Sequence, residues 1–311
     1  NRRHELSEKQ WQKLKKYLPA QKPETGRPAE DHRKIINGIL WKVRTGAPWR
    51  DIPERYGSWS TIHSRFRRWR DAGVWDRILS DLQADSDSEG NVNWEVHFID
   101  TTVVRAHQHA AGAKKGAEEE ALGRSRGGFS TKVHIRAEGQ GKPITIALTP
   151  GEAHETTGFL DLMESGSIKR LHGGRPRNRP ERLIGDKGYS AQWIRDYLIS
   201  HGIHVTIPRK CNNKRGGPFD REAYRMRNRI ERLIGRLKQF RSIAQGMINE
   251  PTVIAHVAHR RYIPLAMTFA QRPKSLKEAG VERIFEEKAS GGRWDRPELH
   301  KMLEQMRPGD V

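Results

Sequence analysis

Three acidic residues stand where their surroundings could put them to chemical use. Asp100 closes the alternating segment Glu95 to Asp100, which places Val96, Phe98 and Asp100 on one face of a strand. Asp186 closes Leu183-Ile184-Gly185-Asp186 and is followed by Lys187-Gly188-Tyr189. Strand-terminal acids often line sites at the carboxyl edge of a sheet, and as often serve as turn formers or helix caps. The third is Glu231, in the series Tyr224, Arg227, Glu231, Lys238. At about 100° per helical residue these four fall within roughly 60° of one another. Such a stripe is too polar for a core face. It is either a solvent face with an Arg227–Glu231 ion pair or one wall of a site. With the two aspartates it offers three convergent carboxylates beside a cationic helix. Hard oxygen donors suit Mg²⁺, with Mn²⁺ able to substitute. A pair of such ions can activate an attacking hydroxyl or water and stabilise a leaving oxygen. Arg227 and Lys238 could hold phosphates, and Tyr224 a phosphate or a splayed base. Lys187 and Tyr189, beside Asp186, are further candidates for DNA contact.

The segments that must position these residues divide at Asp85 to Asn93, a polar stretch read as a linker over 86–93. Residues 1–85 are predicted to be all helical. Ser7 and Gln10 have capping-box spacing ahead of Trp11 and Leu14. A second helix is expected from about Ala29 to Thr45, with Gly46 as its stop. A short helix from Trp49 to Arg55, a turn at Gly57 and a basic helix from Ser58 or Ser60 to Ala72 make a helix-turn-helix pattern. Its first turn offers Thr61, His63, Ser64 and Arg65 to base edges, and Arg67 and Arg68 to phosphates. A plain helical bundle with a charged outer face fits the same pattern.

From Trp94 onward strands dominate. Thr131–Ala137 and Pro143–Leu148 should pair through the turn 138–142, then helix and strand alternate, with one long helix from about Arg221 to Ala244. Three early strands followed by that alternation suit a mixed α+β or α/β sheet flanked by helices, of the ribonuclease H-like kind. This catalytic region is expected over 94–270, followed by an extension over 271–311 with no familiar pattern. Residues 107–128 form a glycine- and charge-rich insertion. Its His107-x-His109 has no cysteine partner nearby and is better read as hydrogen bonding than as zinc binding.

The 311 residues include 58 Lys or Arg against 38 Asp or Glu, a net charge of +20. Such a balance points to a polyanion, nucleic acid before a membrane face. The charge is not a single tail: residues 1–85 hold 19 basic against 11 acidic side chains, and the remainder carries the other +12. Basic residues interleave with aromatics, as in Arg67-Arg68-Trp69-Arg70. No apolar run is long enough for a membrane span, and no secretory leader is seen. The lone Cys211 excludes a disulfide framework and a cysteine-based zinc finger, which fits a reducing, cytoplasmic setting.

Taken together, the motifs resemble insertion-sequence DDE transposases of the IS-five family over roughly residues 5–245. The carrying segments are Leu6 to Trp11, Gly46 to Pro53, Ile99 to His107, Arg126 to Lys132, Gly185 to Tyr189, and the IS-four-like signature Tyr224-x2-Arg227-x3-Glu231-x6-Lys238. The resemblance implies a ribonuclease H-like domain with Asp100, Asp186 and Glu231 as catalytic, metal-binding carboxylates. It also implies an N-terminal domain that recognises inverted repeats at transposon ends. The implied chemistry is metal-assisted hydrolysis at those ends, followed by attack of the freed 3′-hydroxyls on target DNA. The implied partners are double-stranded DNA, as ends and as target, and a second copy of the chain, as a homodimer or higher oligomer on the nucleoid. The alternatives are a metal-dependent nuclease or recombinase of the same fold, and a non-catalytic DNA-binding derivative.

Overall fold

The computed structural model describes residues 4–21, 31–105, 123–125, 128–210 and 219–244. The Cys211 loop, most of the 107–128 insertion and the 271–311 extension lie outside the described residues.

The N-terminal region is helical, as its spacing predicts. Helix α1 (Glu8–Lys15) has the expected capping box: the Gln10 amide donates to Ser7 Oγ at 3.2 Å, and Gln10 Oε1 accepts from the Ser7 amide at 2.9 Å. Helix α2 (His32–Thr45) starts under an Asp31 cap and stops at Gly46, whose φ of 74° is open to glycine at little cost. The segment expected as one short helix is instead two 3-10 turns, Trp49–Asp51 and Glu54–Tyr56. Pro53 lies between them and cannot donate the bond that would join them. Helix α3 (Trp59–Asp71) buries Ile62, Phe66 and Trp69. Ser58 takes its N-cap position, but its hydroxyl pairs with the Ser60 hydroxyl rather than with a backbone amide of the first turn. Helix α4 (Val74–Ser88) continues three residues into the stretch read as a linker.

Six strands form one mixed sheet: β1 (Val96–Arg105), β2 (Gly123–Ser125), β3 (Gly128–Glu138), β4 (Pro143–Pro150), β5 (Arg182–Ile184) and β6 (His204–Thr206). The order is β2-β3-β1-β5-β6, with β4 also on β3. Strands β1, β3 and β4 pair antiparallel, whereas β1, β5 and β6 run parallel. The β3–β4 turn matches expectation. Buried Glu138 accepts from the amides of Lys142 and Asn93, each at 2.9 Å, and Gly141 supplies a φ of 83°. Helices α5 (Phe159–Glu164) and α6 (Gln192–Ser200) enclose a small core with Ile99, Leu183 and Tyr189.

Where one long helix is expected, the chain forms α7 (Arg221–Arg225), α8 (Asn228–Lys238) and α9 (Arg241–Ala244). Around the first break Met226, Arg227, Arg229 and Ile230 bond back to the third residue rather than the fourth. Such 3-10 bonds tighten the turn and change the helical phase. The stripe expected from Tyr224 to Lys238 is therefore not one continuous helical face.

The helical N-terminus and the sheet share one hydrophobic core running from Trp11 through Trp69 and Phe98 to Ile243. Lys42 donates to Ser242 Oγ at 3.2 Å, and Ser242 donates back to the Lys42 carbonyl at 3.1 Å, which joins α2 to α9. No helix of the described residues is long and apolar enough to cross a membrane.

Candidate active site

The parallel register of β1 and β5 sets the geometry. Phe98 pairs with Ile184, so two residues further along Asp100 comes beside Asp186. Asp100 does not close its strand, since β1 continues through Val103 and Val104 to Arg105. It sits instead where the shorter β5 ends, which leaves it at the carboxyl edge of the parallel pair. Gly185 allows the close approach: a Cβ there would stand 2.9 Å from the Ile99 side chain. Asp186 then caps the 3-10 turn Lys187–Tyr189, accepting from the Gly188 amide at 3.0 Å.

Glu231 projects from the first turn of α8, and Arg227 at its N-cap binds two of the acids at once. Arg227 Nη2 donates to Asp100 Oδ2 at 2.8 Å, and Nη1 donates to Glu231 Oε1 at 2.6 Å. The sequence anticipates the second contact from i,i+4 spacing but not the first. The two arms differ in environment: the Asp100 side chain is 9% exposed and that of Glu231 is 53%. Burial pushes the Asp100 carboxyl up to about 6, with Asp186 and Glu231 adding to the rise. Arg227 and the Thr101 amide, which donates at 2.8 Å, oppose it.

The other expected contacts sort by exposure. Lys187 and Lys238 are exposed, and Tyr224 is half-buried with its ring 5.2 Å from that of Phe219. On α3, Ser64, Arg67 and Arg68 are exposed, whereas Thr61, His63 and Arg65 are half-buried. His63 lies against the Trp49 ring at 4.9 Å, and the Arg65 guanidinium lies over Trp69 at 5.5 Å. Burial, with Arg67 and Arg70 nearby, holds His63 below its usual range and favours the neutral ring. Tyr189 corrects the sequence reading. It is fully buried, so it cannot touch DNA, and its hydroxyl faces His134 Nδ1 at 3.4 Å. His134 Nε2 lies 2.8 Å from Thr149 Oγ1. Tyr189 thus supports the Asp186 turn from beneath.

Glu155 is a fourth acid that sequence reasoning missed. It opens the 3-10 turn Glu155–Gly158 after β4 and lies against Gly188 in the Asp186 turn. The signal is weak in the sequence, since Glu155 lies five residues past the end of β4 whereas Asp186 lies two past the end of β5.

Carboxylate oxygens are the donors a divalent cation prefers, so the set fits such an ion in kind. Among the described residues no three His, Cys, Asp or Glu side chains converge closely enough to share one ion. Between Asp100 and Glu231 the cation in place is the Arg227 guanidinium. An ion taking both acids would require Arg227 to swing aside.

Comparison with known proteins gives this geometry its context. Residues 6–79 match the family described as "Putative transposase of IS4/5 family", and residues 95–257 match the family described as "Transposase DDE domain". The "Uncharacterized protein y4sN" of Sinorhizobium fredii is 37% identical over 110 residues, covering 35% of this chain and 83% of that protein. The "Insertion element IS402 uncharacterized 16.2 kDa protein" of Burkholderia cepacia is 32% identical over 117 residues, covering 36% and 78%. A piggyBac transposase synaptic complex with hairpin DNA is 12% identical at a TM-score of 0.38, covering 94% of this chain and 85% of that one. The second family match alone takes in more than half of the chain, and its domain is ribonuclease H-like. The chain belongs to the IS4/5 family of DDE transposases and is a DNA transposase.

Proposed function

We propose that Asp100, Asp186 and Glu231 hold the divalent cations, Mg²⁺ or in its place Mn²⁺, with which this transposase cleaves the ends of its element. Such ions, when bound, activate the attacking oxygen and stabilise the departing one. The observation that carries the assignment is the Arg227 bridge, which brings Glu231 to Asp100 at the edge where Asp186 also emerges. The side chains' own work is to fix that edge. Arg227 is the counter-ion of the acids until a DNA phosphate competes for its guanidinium. Lys187 and Lys238 offer exposed cations to the strand being cut, and Tyr224 a partly exposed ring. Joining then proceeds by attack of a freed 3′-hydroxyl on target DNA, with no covalent link to the protein.

Recognition of the inverted repeats falls to residues 1–85, with α3 as the reading helix in a helix-turn-helix arrangement. Ser64, Arg67 and Arg68 stand on its exposed side. Residues 94–270 make the catalytic domain. Two ends must be cut and joined together, so the working form on the nucleoid is at least a dimer.

The test uses an uncleaved end duplex with Mg²⁺ to score cleavage, and a pre-cleaved end duplex with a target plasmid and Mg²⁺ to score joining. Asp100→Asn, Asp186→Asn and Glu231→Gln should each lose both cleavage and joining by at least a hundredfold while still retarding end DNA. Cleavage at the wild-type rate by any one of them would overturn its assignment.

A further inference from the structure

The loop between α5 and β5 carries a charge that cleavage and joining do not use. From Lys169 to Arg179 it reads Lys-Arg-Leu-His-Gly-Gly-Arg-Pro-Arg-Asn-Arg, with five cations and no acid. We propose that Arg170, Arg175 and Arg179 form a second seat for duplex DNA, gripping backbone phosphates at a distance from the catalytic carboxylates.

The position excludes the scissile phosphate. The loop enters β5 at Arg182, the amino end of the strand, whereas Asp186 lies past its carboxyl end. Four residues of extended chain, roughly 13 Å, separate those two points. Arg179 lies further back still.

The loop is anchored from below. Arg136 is fully buried, and its Nη1 donates to Asn178 Oδ1 at 3.0 Å. Asn178 Nδ2 in turn donates to the Met163 carbonyl at 2.7 Å. Ile168 and Arg177 exchange backbone bonds of 2.8 Å each way, and the Arg177 guanidinium packs over Trp94 at 4.8 Å. Arg177 is thus a structural member, paired with Asp87 at 3.9 Å. Arg170, Arg175 and Arg179 have no carboxylate within ion-pair distance among the described residues. Together they line an open recess of about 360 Å³, with Tyr197 and His201 among its other walls.

A charged loop that is merely solvated has mixed signs and no fixed frame. This one carries a single sign along its sequence and a frame tied into the core; Lys169 and Arg177 pair with Asp81 and Asp87, which leaves Arg170, Arg175 and Arg179 lining one recess. Fixing the loop's frame in advance lowers the ordering cost of binding, and clustering the cations focuses the field on a polyanion. Guanidinium is also the group whose fork matches phosphate oxygens. The ligand is duplex DNA of any sequence, since guanidinium contacts to backbone phosphates carry no sequence information.

The experiment measures binding of a 30-base-pair duplex without inverted-repeat sequence, by fluorescence anisotropy over a series of salt concentrations. The triple variant R170A/R175A/R179A should lower the slope of log K against log salt by about 2 to 3, at ~0.9 for each phosphate no longer neutralised. The triple Arg→Lys variant should keep most of that slope. On the wild-type protein, bound duplex should protect Arg175 and Arg179 from phenylglyoxal modification. A wild-type slope in the alanine variant, with its thermal melt intact, would overturn the proposal. So would equal modification of both arginines with and without DNA.

Discussion

Replacing Arg227 with glutamine should destabilise the protein in a pH-dependent way, and the size follows from the two unequal arms of the bridge. The Glu231 arm is half exposed, so its loss costs about 0.5 kcal/mol. The Asp100 arm is buried. Asp100 titrates at about 6 in the folded chain against 3.8 for an ordinary aspartate. The folded state therefore binds this proton more tightly than the unfolded chain. The wild type loses stability from this group as pH rises from 4 to 6 and is level above that. Without Arg227 the carboxyl is pushed higher, so the loss continues beyond pH 6. The proton that Asp100 retains limits the deficit to about 1.4 kcal/mol for each pH unit above 6. The added cost is then close to zero at pH 5, at most about 1.4 kcal/mol at pH 7 and about 2.7 kcal/mol at pH 8. Urea melts of wild type and Arg227→Gln in chelator at pH 5, 6, 7 and 8 would measure it. A deficit independent of pH, or largest at pH 5, would refute the view that Arg227 is the counter-ion of a buried Asp100.

Two further expectations concern the support beneath Asp186. Burial, with Lys132 adding, holds His134 near 4, below the ordinary 6.5, so the unfolded chain takes up this proton first as pH falls. Stability from this group is intact above pH 6.5 and lost on the way down to 4, on the order of 3 kcal/mol in all; the wild type should therefore lose more stability between pH 7 and pH 4.5 than His134→Gln does. Gly158→Ala should cost about 1–3 kcal/mol in a melt at pH 7, because its Cβ would stand 2.6 Å from the enclosed His134 ring, and a wild-type melt would show that the ring yields freely.

Much of the fold is legible in the sequence where local chemistry fixes it. The capping box at Ser7, the stop at Gly46 and the turn between β3 and β4 each rest on residues that act within a few positions of themselves. The carboxylates are legible for the same reason, since strand ends and helical spacing are local. What escapes is set by partners far along the chain. The break before α8 brings Arg227 to a residue 127 positions away, and no periodicity within the helix reports it. Tyr189 reads as a surface aromatic beside an acid until α5 and α6 close over it. Asp100 reads as a strand end because β1 is apolar up to that point, but the strand continues along the antiparallel β3.

The same contrast bears on how end recognition and cutting are joined. Read along the chain, residues 1–85 and the catalytic region are separate bodies with a polar stretch between them. In three dimensions α3 packs on α2, and α2 meets α9 through Lys42 and Ser242. The Arg44 guanidinium also lies 4.4 Å from the centre of the Phe240 ring, just beyond α8. Glu231 is on α8, so the helix proposed to read DNA and the helix bearing the third carboxylate belong to one packed assembly. Lys42 is buried at that joint, and burial depresses its ammonium, so the contact is sensitive to any shift that admits water. An N-terminal domain tethered only by a linker could locate an end without orienting it. On the proposed reading of α3, a domain that shares a core with α8 and α9 would hold the bound end at a fixed distance from Asp100 and Asp186, and the packing of α2 against α9 would set the cleavage position.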